Sequence, residues 1–308
     1  MKILQTALMH LKKPGKSSKR MTPRISKTSE STHPDKNSEQ VQINSGASTL
    51  QTSRKNNVLT IYLNRPAVLN ALDMEMAEAL REVLLKAAHD SDVRALIISG
   101  RGRAFCSGGD LKFALHAHPD QPGNSFLALT TVLHDCIKLI RSMDKPVVAA
   151  INGPAAGAGL FLALACDLRI MSRRAYLKQS NTSYGLSLPA GGTYFLPRLL
   201  GMGRALEMVM LDQPVDSFTA HKLGMVSQVV PDSMLAIEAE LLAFQLKQKA
   251  VQTLGRVKRL MNESFDRSLG EQLAAEQESI VQSANHAEGR EGLAAFVEKR
   301  KAEYDSLG

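Results

Sequence analysis

The chain becomes legible at Val58, where apolar and polar positions start to follow secondary-structure periods. Val58 to Leu63 alternates as a strand does, and Met76, Leu80, Val83, Leu84 and Ala87 recur at helical spacing behind Asp73, a residue suited to cap a helix. Ala95 to Ser99 and Pro146 to Ile151 are short apolar runs bounded by Gly, Asp or Pro, the signature of strands buried on both faces. Leu160 to Cys166 is apolar on every side and predicts a buried helix. From Met234 to Tyr304 the pattern is helical throughout, punctuated by Gly255, Gly270 and Gly289. Strands alternating with helices predict an α/β core with right-handed crossovers. No period in the range of solenoid repeats is present.

Residues 11–57 carry Lys, Ser, Thr, Asn and Gln with few large apolar side chains, so burial cannot offset the entropy of ordering them. The expected organisation is a disordered basic extension over 1–55, a core over 56–232 and a helical region over 233–308. Residues 1–50 hold nine Lys/Arg against three Asp/Glu, which leaves 29 against 27 for the remainder, so the net charge of +8 belongs mostly to the extension. A nearly neutral domain with 5% aromatics and no Trp argues against nucleic-acid binding. The longest apolar run is far shorter than the roughly 18 residues of a membrane span. Cys106, Cys136 and Cys166 are spaced without any C-x-x-C, which excludes a disulfide scaffold and a cysteine zinc site and favours a reducing, cytoplasmic setting. The acid-free stretch Met1 to Arg24 leaves a mitochondrial transit peptide open beside a solvated tail.

The candidate chemistry lies in two small-residue turns, Phe105-Cys106-Ser107-Gly108-Gly109-Asp110 and Asn152-Gly153-Pro154-Ala155-Ala156-Gly157-Ala158-Gly159, each following a predicted strand. The second opens the buried helix, whose first N–H groups lack intrahelical acceptors and stabilise negative charge. Without bulky side chains a ligand oxygen can approach either backbone, and two converging donors would form an oxyanion hole. From the residues alone, tight turns and close helix packing are the favoured account of the glycines. Neither turn matches a phosphate-binding loop.

These segments resemble the crotonase, or enoyl-CoA hydratase/isomerase, superfamily. The resemblance is carried by Leu63-Asn64-Arg65-Pro66 with Asn70-Ala71-Leu72, by the two turns, by Cys166-Asp167-Leu168-Arg169-Ile170, by Gly191-Gly192-Thr193 through Leu196-Pro197-Arg198-Leu199, and by Glu291 through Arg300. It implies a spiral of β-β-α units with a C-terminal helical trimerisation region, and a homotrimer or hexamer. It further implies a coenzyme A thioester whose carbonyl oxygen is held by the amides of Ser107 and Ala158. Ala71, Cys106, Gly108, Gly109, Asp110, Gly157 and Tyr184 are expected to border the substrate, and Lys299 to approach the coenzyme's phosphates. No cofactor beyond the coenzyme A of the substrate, no metal and no membrane partner are expected.

The resemblance also exposes a departure. The two glutamates of the hydratases fall at Phe161 and Asn181, and the aspartate of many isomerases falls at Ala190. None of these side chains transfers a proton. Asp110 and Asp167 read as a helix cap and a helix-to-strand junction. His116 and His118 lie in a loop-flanked segment, His286 reads as a cap, and His134 with Asp135, being adjacent, point about 100° apart on a helix and cannot form a dyad. Cys106 reads as a packing side chain rather than a nucleophile. The expected function is an acyl-CoA enzyme of the hydratase/isomerase type acting through an enolate. A decarboxylase or other lyase on coenzyme A or acyl-carrier-protein thioesters, and a non-catalytic acyl-CoA-binding protein, are the alternatives.

Overall fold

The computed structural model describes residues 48–307. The chain opens with an antiparallel hairpin, β1 (Leu50–Lys55) and β2 (Val58–Leu63), turning through Asn56 and Asn57, both left-handed. Then come α1 (Met74–His89), β3 (Ala95–Gly100), α2 (Leu111–Ala117), α3 (Pro122–Ser142), β4 (Val147–Ile151), the short β5 (Ala155–Ala156), α4 (Ala158–Ala165), β6 (Leu168–Ser172) and β7 (Tyr176–Lys178). The rest is α5 (Gly192–Leu200), α6 (Met202–Leu211), β8 (Val215–Asp216), α7 (Ser217–Lys222), β9 (Gln228–Val230) and four C-terminal helices, α8 (Leu235–Lys247), α9 (Val251–Glu263), α10 (Leu269–Asn285) and α11 (Ala287–Glu298).

A six-stranded sheet in the order β1-β2-β3-β4-β6-β9 is parallel except at the β1–β2 pair, and β5, β7 and β8 form a small second sheet. The continuous apolar runs of β3 and β4 follow from cover on both faces. Ile61, Leu63, Leu96, Ile98, Val147 and Ala149 join the side chains of α1, α3 and α4 in one core, while the alternate positions Ala95, Ile97, Val148 and Ala150 pack against Leu235, Ala239 and Ala243 of α8. The period of two along each strand thus divides one apolar sequence between two cores. Asp73 caps α1 by accepting the Met76 amide, as its position predicts. The C-terminal helices are pinned to the sheet by polar contacts: Lys258 meets Asp167 at 2.8 Å, and Asp167 also accepts the Val147 amide at 2.8 Å.

One boundary changes. Residues 50–55, assigned above to a disordered extension, form β1, and the core begins there rather than at 56. Polar composition misled because β1 is an edge strand with one face in solvent, where Gln51, Ser53 and Lys55 belong, and its inward Leu50 is buried. Ser48 is engaged as well, its carbonyl accepting from the Asn64 side chain at 2.9 Å. The rest of the expected extension, residues 1–47, lies outside the described residues.

Candidate active site

Two turns arrive at one place because strands β3 and β4 are parallel neighbours and the chain beyond each leads into a small-residue turn. After β3, Cys106 bridges to Ala155, with the Cys106 amide donating to the Pro154 carbonyl at 3.2 Å and the Ala156 amide to the Cys106 carbonyl at 2.8 Å. The approach is so close that a Cβ on Gly159 would stand 2.4 Å from the Cys106 carbonyl oxygen, so glycine is required there. Gly108, at φ 104, faces Gly157 and Ala158 across this seam.

The turns differ in what their amides do. Ala158 opens α4 behind Gly157, and its N–H meets no acceptor among the described residues, as the first N–H of an uncapped helix should. Ser107 is different: its N–H donates to the Leu69 carbonyl at 3.0 Å. The expectation of a second unengaged donor at Ser107 is therefore corrected, and within this turn it is the Gly109 amide that meets no acceptor among the described residues.

Behind the first turn stands a polar clamp. Asn70, fully buried at φ 57, accepts the Arg65 amide on Oδ1 and donates from Nδ2 to the carbonyls of Arg101 and Ala104 at 2.9 and 2.8 Å, with Phe105 close by. Arg65 reaches the Ala71 carbonyl at 2.7 Å and bridges Asp73 and Asp110, the carboxylates that cap α1 and α2. Leu72 then exchanges backbone bonds with Gly108 and Asp110. The Asn-Arg-Pro…Asn-Ala-Leu pattern is thus the mount of the first turn.

Both turns line a cavity of 440 Å³. Ser107, Gly108, Gly109, Gly157 and Ala158 form one wall; Leu111, Phe126, Leu129 and Leu133 of α2 and α3 form another; Asn181, Tyr184, Leu186 and Leu188 close the remainder. No carboxylate is among the lining residues. Asn181 donates from Nδ2 to the Ser187 carbonyl at 3.2 Å, while its buried Oδ1 has no hydrogen-bond partner. Tyr184 stands exposed at the rim.

Several expected site residues lie elsewhere. Phe161 is fully buried and packs on Gly192, where an added Cβ would approach its ring to 2.7 Å; it belongs to the core because α4 is apolar all round and wrapped by sheet and helices. Cys106 is fully buried outside the cavity wall, and desolvation pushes its thiol up to about 12, so it packs and does not border the substrate. Ala71 and Asp110 belong to the clamp rather than to the cavity wall. Lys299 is the exposed, left-handed C-cap of α11 and does not reach this cavity in its own chain. Ala190 is buried off the wall at φ 52.

Its N–H shows what the sequence left hidden. The Ala190 amide donates to Nε2 of His134 at 3.1 Å, and His134 lines the cavity. Residues 134 and 190 are 56 positions apart, and only the packing of α3 against the segment before α5 brings them together. His118, by contrast, bonds the buried Ser125 hydroxyl at 2.7 Å and ties the end of α2 to α3. His286 caps α11 as expected, accepting from the Glu288 amide.

A family profile described as enoyl-CoA hydratase/isomerase matches residues 53–306. The 1,2-epoxyphenylacetyl-CoA isomerase of Escherichia coli (strain K12) is 35% identical over 248 residues, 80% of this chain and 94% of that protein. The crystal structure of an enoyl-CoA hydratase from Polaromonas sp. JS666 superposes with a TM-score of 0.78 at 35% identity, covering 82% of this chain and 98% of that one. An enoyl-CoA hydratase structure from Bacillus anthracis does so at 0.78 and 30%, covering 83% and 99%. The mixed α/β body with its helical C-terminal region is the fold of these proteins, and the chain belongs to the enoyl-CoA hydratase/isomerase, or crotonase, family.

Proposed function

We propose that the protein is an acyl-CoA enzyme that polarises a thioester carbonyl against the Ala158 amide and runs enolate chemistry other than orthodox hydration. The observation that carries this reading is the junction of the two turns at an apolar cavity whose wall holds no carboxylate. The Ala158 N–H, at the start of α4, is oriented before any ligand arrives, so stabilising a developing oxyanion there needs no reorganisation. The second donor comes from the Ser107–Gly109 turn, from Gly109 as it stands or from Ser107 if its bond to Leu69 is shared with the ligand. Apolar side chains of α2 and α3 hold the acyl group. Addition of water across a double bond needs one group to activate the water and another to protonate the α-carbon, and neither Phe161 nor Asn181 supplies it.

Double-bond migration is the first reading and decarboxylation the second, since loss of CO2 generates the enolate without a base. Product analysis by mass spectrometry over a panel of enoyl-, 3-hydroxyacyl- and malonyl-type CoA thioesters tests both. Shifted double bonds support the first and loss of 44 mass units the second. Hydration of crotonyl-CoA at the rate of a two-glutamate hydratase would refute the reading.

Assembly is part of the same proposal. Leu269, Phe296 and Val297 of the C-terminal helices are exposed by 75, 83 and 78%, more apolar surface than water-facing helices carry, and a homotrimer or a dimer of trimers would cover it. Lys299, beside this surface, would serve coenzyme phosphates only from such an assembly. Light scattering that returns a monomer at micromolar concentration would reject it.

A further inference from the structure

The side chains that line the cavity include two with titratable groups, His134 and Tyr184. Tyr184 sits at the exposed rim without a hydrogen bond from its phenolic oxygen among the described residues, whereas His134, also solvent-accessible, is held from α3 against the segment before α5 by the Ala190 amide. Imidazole is the side chain whose ordinary charge change is best matched to proton transfer near neutral pH. The Ala190 N–H, donating to Nε2, selects the neutral ring with its proton on Nδ1 and so keeps a basic lone pair at Nε2. No other side-chain hydrogen bond among the described residues engages the ring, so nothing but one neutral amide must be exchanged for a substrate.

We propose that His134 is the proton-transfer residue of this site, an inference that rests on the thioester reading above. Nε2 leaves the Ala190 amide and takes a proton from the carbon next to the thioester carbonyl. The C–H bond breaks, its electron pair enters the enolate whose oxygen lies at the Ala158 N–H, and the proton becomes an N–H of the imidazolium. Return of that proton to the same carbon regenerates the thioester. Return to the γ-carbon of a 3-enoyl chain moves the double bond into conjugation. Either course balances within one residue and one substrate, and neither needs a carboxylate, an oxidant or a second base.

Enolisation can be read without knowing the natural reaction. The full-length protein is incubated with butyryl-CoA in D2O, deuterium at the α-carbon is followed by mass spectrometry, and binding is measured separately by calorimetry. The wild type is expected to exchange the α-protons. His134→Gln keeps an oxygen to accept the Ala190 N–H but has no basic nitrogen, so exchange should fall about 10²-fold or more. Its Kd should stay within about threefold and its melting temperature unchanged, which separates proton transfer from a merely structural strut. His134→Ala should be partly rescued by added imidazole, an outcome that a packing role does not produce. Exchange by His134→Gln within about threefold of wild type, or a wild type that binds without exchanging, would overturn the assignment. A wild type that binds no acyl-CoA is a different result: it removes the thioester reading itself, and this inference with it.

Discussion

The two turns at the cavity look alike in sequence and behave differently in the fold. Ser107-Gly108-Gly109 is held from behind: Leu69 accepts the Ser107 amide, Leu72 donates to the Gly108 carbonyl and accepts from the Asp110 amide, and Asn70 and Arg65 fasten the surrounding chain. Gly157-Ala158 is anchored through the Gly157 amide, which donates to the Lys178 carbonyl at 3.0 Å, while the Ala158 amide at the head of its helix is left over. Small residues give a backbone access to a ligand, but whether an amide is available is settled by which carbonyls lie nearby. The first turn therefore carries more of the framework, while each turn leaves one amide over, Gly109 in the first and Ala158 in the second.

Four tests would break or sharpen that contrast. The largest effect is expected from Phe161→Glu, which on sequence grounds restores a catalytic glutamate. In the fold it places a carboxylate in a closed apolar core against Gly192, and should cost about 3–5 kcal/mol of stability with no gain in crotonyl-CoA hydration. A soluble, stable variant with raised hydratase turnover would show that position 161 faces the cavity after all.

Next is the pair Ala158→Pro and Ser107→Pro. Proline at the first position of a helix is tolerated, so Ala158→Pro should lose about 10²–10³-fold in turnover while melting near the wild-type temperature. Ser107→Pro removes the bond to Leu69 and should lower the melting temperature as well. Identical profiles for the two variants would erase the distinction between framework and function.

Asn70→Ala is expected to follow, at about 1–3 kcal/mol in urea unfolding, because it strands the Arg101 carbonyl and the Arg65 amide, the Ala104 carbonyl keeping the Asn152 side chain. Turnover should fall only as far as the first turn loosens. The smallest effect belongs to Cys106. Because burial raises its thiol to about 12, the thiolate is scarce at any ordinary pH, and the native protein should resist iodoacetamide equally at pH 7 and 9. Rapid labelling of Cys106 at pH 8 would mean that the seam between the turns opens.

Much of the architecture was legible because local patterns and their tertiary consequences agree. β2 runs from Val58 to Leu63 as its alternation predicts, β3 and β4 fall on their apolar runs, Asp73 and Asp110 cap α1 and α2, and α4 is as buried as its composition requires. β1 was lost to its polar face, since an edge strand displays little of the apolar signal that marks a buried one.

The amino-acid sequence by itself determined the alternation of strand and helix, the two small-residue turns, the helical C-terminus and the absence of carboxylates at 161, 181 and 190. Those properties are local: a period, a cap or a missing titratable group is carried by neighbouring residues. Only the tertiary structure decided that the Ser107 amide is spent on Leu69, that Phe161 points into the core, that Ala71 and Asp110 serve the Arg65 clamp, and that His134 meets Ala190 at the cavity. Apart from the six-residue step from Arg65 to Ala71, each of these joins residues dozens of positions apart, and the pairing depends on how the sheet order brings chain ends together, which no window of sequence contains.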